Sequence, residues 1–168
     1  MLFSKSCIYG IRAAIYLALH ENRRFVPIRE ISDTLDISFH FLTKILQVLT
    51  QTGLIKSEKG PKGGVALLHS SKNISLYDVI NTVDGSSVFD DCIMGFPGCS
   101  DDQPCSMHKI WKETKSDLQK ELQETTLYLL ATEIREGAIK LTDVEKNLHL
   151  FKTTKSFINQ QSNHFNNQ

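Results

Sequence analysis

The segment Lys59-Gly60-Pro61-Lys62-Gly63-Gly64 constrains this chain more than any other, because it separates two short β-prone runs, Leu54-Ile55-Lys56-Ser57-Glu58 and Val65-Ala66-Leu67-Leu68. Three glycines and a proline in six residues enforce a tight reversal, so the flanking runs are expected to pair as a hairpin. Upstream, Pro27 opens a helix over 28–35, with Ile28, Ile31 and Leu35 on one face. Asp36-Ile37-Ser38 forms a short turn in which Ser38 is a plausible N-cap, and a further helix runs from Phe39 to about Thr52. Leu42, Ile45, Leu46 and Leu49 form its inward stripe, and Gly53 is placed to end it. Two short helices around a tight turn, followed by a hairpin, predict a winged helix-turn-helix. A longer helix over 4–21, carrying Ile8, Ile11, Ile15 and Leu19, precedes the set.

In such a unit the second helix of the pair enters the major groove of DNA by its N-terminal end. Its outward positions are Ser38, Phe39, His40, Thr43 and Lys44, with Gln47 one turn on. Ser, Thr and Lys can bond bases or phosphates, and Gln can pair with adenine. Phe39 has two equal readings, a contact to a thymine methyl or inward packing. Lys59 and Lys62 sit on the wing tip, suited to the minor groove or the phosphate backbone. The charge distribution agrees: residues 1–72 hold ten Lys/Arg against five Asp/Glu, and the other 96 hold nine against fourteen. A basic half joined to an acidic half suggests that only the first half meets a polyanion.

Downstream, Ser75-Leu76-Tyr77-Asp78 resembles a capping box and starts a helix through Val79, Ile80 and Val83 that stops near Gly85. A loop over 86–105 follows, rich in Gly, Pro and Asp. Within it and just beyond stand Cys92, Cys99, Cys105 and His108. A loop has little packing use for cysteine, and four soft or borderline donors are what a metal centre requires. Read alone, the donors admit an iron–sulfur cluster, a structural zinc or a thiol switch. The acidic neighbours Asp90, Asp91, Asp101 and Asp102 are expected to hold thiol pKa values up, which disfavours the switch. Cys7, on the first helix, reads as a buried packing residue.

From Ser106 a long helix is expected to reach about Glu124, with Ile110, Trp111, Leu118 and Leu122 as its apolar positions. So narrow a stripe suits a partner helix in a symmetric dimer, although its own domain can also cover it. Leu127 to Ile134 would add a last packed helical turn or two. Residues 153–168 are rich in Asn, Gln, Ser and Thr and read as a frayed tail. No apolar run reaches the roughly 18 residues that span a bilayer, and the N-terminus lacks a signal-peptide core, so no membrane partner is expected and cytoplasm is the expected location. No nucleotide-binding glycine motif, Ser/His/Asp set or carboxylate pair near the cysteines supports an enzyme.

Together these residues resemble the Rrf2 family of bacterial transcription regulators over roughly residues 1–130. The similarity runs through Ser4-Lys5, Tyr9-Gly10, Ile37-Ser38 with Leu42, Leu49 with Gly53-Leu54, Gly60-Pro61, Gly63-Gly64, Val79-Ile80 with Val83, and Cys92, Cys99, Cys105, His108 and Trp111. The resemblance implies a mostly α homodimer with a long C-terminal dimerisation helix, bound to a palindromic double-stranded operator. It also implies an iron–sulfur cluster that controls DNA binding. Within the family, the Cys…Cys…Cys-x-x-His pattern is similar to the IscR-like branch, which implies a [2Fe–2S] cluster on Cys92, Cys99, Cys105 and His108 that air can strip. The nitric-oxide-sensing branch, with a [4Fe–4S] cluster, takes an acidic ligand from the partner's first helix. The matching residue here is Ile8, which cannot coordinate. Between Cys92 and Cys99 lie six residues where five are usual in the IscR-like branch. The expected organisation is therefore a winged helix-turn-helix DNA-binding domain over 1–85, a cluster-binding loop over 86–105, a dimerisation helix region over 106–135 and a poorly defined tail over 136–168.

Overall fold

Helix α1 (Lys5–Leu19) is the element around which the others assemble, and its sequence explains why. Ala13, Ala14 and Ala18 are almost fully buried beside Tyr16 and Leu17, so small side chains let neighbouring backbones come close. Gly10 carries this furthest. A Cβ there would meet Val83 Cγ2 at 3.2 Å and Ile45 Cγ2 at 3.4 Å, so three helices cross within a methyl group's width of one another. Ser4 caps α1 by accepting from the Cys7 amide at 3.0 Å. The computed structural model of the chain describes residues 2–142. The tail expected over 153–168, and most of the 136–168 span, lie outside the described residues.

The helix pair follows the sequence reading closely. Helix α2 (Ile28–Leu35) starts after Pro27 and ends at Asp36, which adopts the left-handed conformation at φ 52° that a short polar residue tolerates. Ile37 is buried and anchors the turn. Helix α3 (Phe39–Gln51) then buries Leu42, Ile45, Leu46 and Leu49. Ser38 occupies the N-cap position but its side chain makes no capping bond, which leaves the first-turn amides of α3 without that partner.

Strands β1 (Ile55–Glu58) and β2 (Gly64–Leu67) pair antiparallel, Ile55 opposite Leu67 and Glu58 opposite Gly64. Ile55, Val65 and Leu67 point into the core. A bridge between Val26 and Val65 ties the sheet to the segment before α2. This close approach demands glycine at 64: φ is +155° there, and a Cβ would fall 2.2 Å from the Val26 carbonyl oxygen.

A 3-10 turn (Ser71–Asn73) leads to α4 (Leu76–Val83). The capping box forms as read: Ser75 Oγ accepts from the Asp78 amide at 3.1 Å, and Asp78 accepts from the Ser75 amide at 2.8 Å. Short helix α5 (Ser87–Asp90) enters the cysteine loop, and α6 (His108–Glu124) leaves it. Helix α6 is about 25 Å long at 1.5 Å per residue, yet Leu122 is its one buried residue.

Helix α7 (Leu127–Arg135) forms where a last packed helical segment over 127–134 is expected, and runs one residue further. It packs along α1 and contributes Leu127, Ala131 and Ile134 to the main core. The 106–135 span therefore divides, its last part being packed into the main core with α1. Two backbone bonds, Leu76 N to Thr125 O and Leu127 N to Ile74 O, both 2.9 Å, hold the start of α7 beside the start of α4. Arg135 donates to the Ala18 and Leu19 carbonyls at 3.1 and 3.2 Å, closing the end of α1. A second, smaller core joins Cys7, Ile80, Phe89 and Leu122, with Leu118 packed against it.

Candidate metal centre and nucleic-acid interface

The loop from Asp91 to Met107 buries none of its residues and is shaped by turns. Gly95 and Gly98 take positive φ, and the Gly95 amide returns to the Cys92 carbonyl at 2.8 Å. These reversals bring together three residues that are far apart in an extended chain. The sulfurs of Cys92, Cys99 and Cys105 all lie within 4.8 Å of one another, with Cys92 and Cys105 at 4.0 Å. His108 opens α6 and directs Nδ1 to 3.4 Å from the Cys99 sulfur. The three thiols thus meet, with His108 beside Cys99 at their edge, all half-buried in a hollow bordered by Asp90, Ile93, Met107, Trp111 and Lys115.

Two neighbours of His108 escaped the sequence reading. Asp101 Oδ1 lies 2.9 Å from His108 Nε2, and Lys112 Nζ donates to Asp101 Oδ2 at 2.6 Å and to Oδ1 at 2.8 Å. His108 and Lys112 are four apart on one helix, a spacing that announces a shared face. Nothing in spacing points to Asp101, because its approach depends on loop geometry. Lys112, and next His108, hold the Asp101 carboxyl below its ordinary range.

The thiols do not respond uniformly to their acidic surroundings. The Phe96 and Met94 amides donate to Cys92 and lower its pKa, contrary to the expectation that nearby aspartates would raise it. For Cys99 the largest influence, the Cys105 amide, also lowers it, but desolvation and the adjacent Cys105 and Cys92 thiols outweigh that and raise it. Three sulfurs gathered this tightly, joined by one imidazole nitrogen, fit a metal ion or an iron–sulfur cluster by donor type and by proximity.

The four residues read as a dimer stripe do not share one environment. Leu122 is buried and Leu118 packs inward, both against the small core beside α4. Trp111 is half-buried and donates Nε1–H to the Asp91 carbonyl at 3.0 Å, stapling the loop to α6. Ile110 is 56% exposed. With Ile93, Met94, Phe96 and Met107 it belongs to the exposed large apolar residues around the donors.

At the other site, Ser38, His40, Lys44, Gln47, Lys59 and Lys62 are exposed, as outward positions should be. Thr43 is half-buried and donates its hydroxyl back to the Phe39 carbonyl at 2.7 Å. Phe39 is half-buried too, with the Arg29 guanidinium 4.8 Å above its ring. That stack at the front of α3 is a second feature the sequence reading missed. Cys7 is fully buried as expected, and its thiol is pushed up to about 12 by burial, then by the charge and hydrogen bond of Asp84.

Comparison with known proteins places this architecture. The Rrf2 family, described as an iron-dependent transcriptional regulator, matches residues 3–133. The HTH-type transcriptional regulator IscR of Pectobacterium carotovorum is 32% identical over 119 residues, covering 71% of this chain and 72% of that protein. Among solved structures, CymR, the global cysteine regulator of B. subtilis, superposes with a TM-score of 0.66 at 26% identity, covering 77% of this chain and 95% of that one. IscR of T. potens gives a TM-score of 0.66 at 23% identity over 82% and 90% of the two chains, a likeness of fold. Among the described residues no helix is long and apolar enough to cross a membrane. Its match over 131 of 168 residues, with a winged helix-turn-helix in the same frame, makes this chain a member of the Rrf2 family of transcriptional regulators, and not an enzyme.

Proposed function

We propose that the chain is a cytoplasmic, homodimeric repressor whose affinity for a roughly palindromic operator is set by a [2Fe–2S] cluster on Cys92, Cys99, Cys105 and His108. The observation that carries this reading is the convergence of three loop thiols, with His108 at the start of α6 beside Cys99, in an Rrf2 chain. When bound, such a cluster supplies an oxidation-sensitive centre that reports iron–sulfur status, redox state or nitric oxide. The loop's own residues would pass the signal on. On one side Phe89 is buried with Ile80 of α4, and on the other Trp111 of α6 grips the Asp91 carbonyl. Helix α4 in turn meets α3 at the Gly10 crossing, through Val83 and Ile45. Ordering or releasing the loop therefore shifts α4 against the DNA-reading helix.

In this reading α3 presents Ser38, Phe39, His40, Thr43, Lys44 and Gln47 to the major groove, and Lys59 and Lys62 meet the backbone or the minor groove. The exposed side of α6, with Ile110, pairs with a second copy, spacing two reading heads about one helical turn apart, while Trp111 stays on the inward face against the loop. The inward packing of Leu118 and Leu122 supports a dimer contact by the other face of α6.

One observation favours a second reading. A single tetrahedral ion with zinc–sulfur bonds of about 2.3 Å sets its sulfurs about 3.8 Å apart, close to the Cys92–Cys105 separation of 4.0 Å. Purification without oxygen separates the two. Brown protein with equal iron and sulfide, binding duplexes selected from a random pool with different affinity before and after cluster removal, supports the first. Colourless protein with one zinc per chain, or equal affinity in both states, overturns it.

A further inference from the structure

We propose that Asp101 positions His108 as the fourth donor of the metal centre, and that Lys112 holds Asp101 where it can do so. The proposal rests on the cluster reading above and assigns roles to two residues outside the donor set. An imidazole ligates through the ring nitrogen that carries no proton, so whatever binds the other nitrogen decides which atom is available. A carboxylate only accepts. Asp101 Oδ1, 2.9 Å from Nε2, therefore takes the Nε2–H bond. In the neutral ring this leaves Nδ1 bare, and Nδ1 is the atom 3.4 Å from the Cys99 sulfur.

Asp101 needs support of its own, because its side chain is 69% exposed on a loop. Lys112 supplies it by contacting both carboxylate oxygens from the turn of α6 after His108. Helix α6 thus carries both the donor and the cation that steadies the donor's partner. The loop contributes only the carboxylate between them. Partners of this kind on metal-bound histidines change metal affinity by about 10- to 100-fold when removed.

The test uses full-length protein reconstituted without oxygen and follows iron release to a chelator. Asp101→Ala should release iron about tenfold faster or more, Asp101→Asn should fall between it and wild type because an amide oxygen still accepts, and Lys112→Ala should show a smaller acceleration. Asp102→Ala removes the same charge from the adjacent residue and should release iron at the wild-type rate. Metal-free protein gives an independent readout. A slowly exchanging Nε2–H resonance of His108 should be present in wild type and Asp101→Asn, and lost in Asp101→Ala.

Equal release by Asp101→Ala and wild type, equal acceleration by Asp101→Ala and Asp102→Ala, or an unchanged His108 resonance in Asp101→Ala overturns the role of Asp101. A wild-type protein that takes up no iron overturns the cluster reading instead, and iron and sulfide analysis detects that directly.

Discussion

Helices α3 and α6 make opposite use of their length. Helix α3 buries four of its 13 residues, whereas α6 buries one of 17, and the loop that feeds α6 buries none. Apolar burial stabilises by roughly 25 cal/mol per Å², so the free energy of folding is concentrated in α1–α4, the hairpin and α7. The donor loop is held by its turns and by the Trp111 bond to the Asp91 carbonyl. A region of that kind can rearrange without unfolding the well-packed body that carries the helix-turn-helix.

Thiol reactivity gives the largest contrast between the two regions. Cys7 is fully buried with its thiol pushed up to about 12, while Cys92, Cys99 and Cys105 are half-buried. Three pKa units correspond to about a thousandfold less thiolate. Metal-free, reduced protein titrated with a thiol reagent near pH 8 should show three fast thiols and a fourth at least about a hundredfold slower, released only by denaturant. Four thiols of equal rate would erase the distinction.

Stability should divide along the same line. Leu127→Ala removes a fully buried side chain that α7 sets against α1, and should cost about 2–5 kcal/mol in urea unfolding. Cys105→Ala in metal-free protein should change stability by about 0.5 kcal/mol or less. A loss below about 1 kcal/mol for Leu127→Ala would mean that α7 is not part of the reader's core.

The smallest effect concerns pH within the stable half. Arg23 hydrogen-bonds Glu30 and, with Tyr16, outweighs desolvation to hold its carboxyl below the ordinary 4.5. A depressed carboxylate contributes stability above the unfolded value, and that contribution disappears as pH falls through the folded value. Because both side chains are about one-third exposed, the contribution should be under about 1 kcal/mol. Glu30→Gln should therefore lower stability by under about 1 kcal/mol above pH 4.5 and flatten the further loss below that pH. An identical acid limb in both proteins would show that the pair contributes nothing.

Sequence pattern reached the two halves to different depths for a physical reason. Helix α2 came out at the bounds read, since Pro27 and Asp36 punctuate it, and the capping box at Ser75 formed as written. Such signals are local. Helix α7 is legible to within one residue of its bounds, whereas the identity of its partner, α1, more than a hundred residues away, is not. The donor set was legible as residue types, whereas the placing of Asp101 on His108 depends on reversals at Gly95 and Gly98 that carry no period. The downward shift of Cys92 was equally hidden, since backbone amides produce it and every residue but proline supplies one. Ser38 shows the reverse case, a cap signal at the right place whose bond does not form.

The paired backbone bonds between Leu76 and Thr125 and between Ile74 and Leu127 have a consequence for how such a chain can change over generations. They bring the entry and exit of the 76–124 span side by side, so insertions or deletions within it need not alter the spacing of the fixed ends. The six residues between Cys92 and Cys99 lie within that span, so their number can vary without moving its ends. The donor-bearing span is in effect a replaceable cassette. New chemistries can be tried there by altering loop length and donor identity while the DNA-reading body is inherited intact.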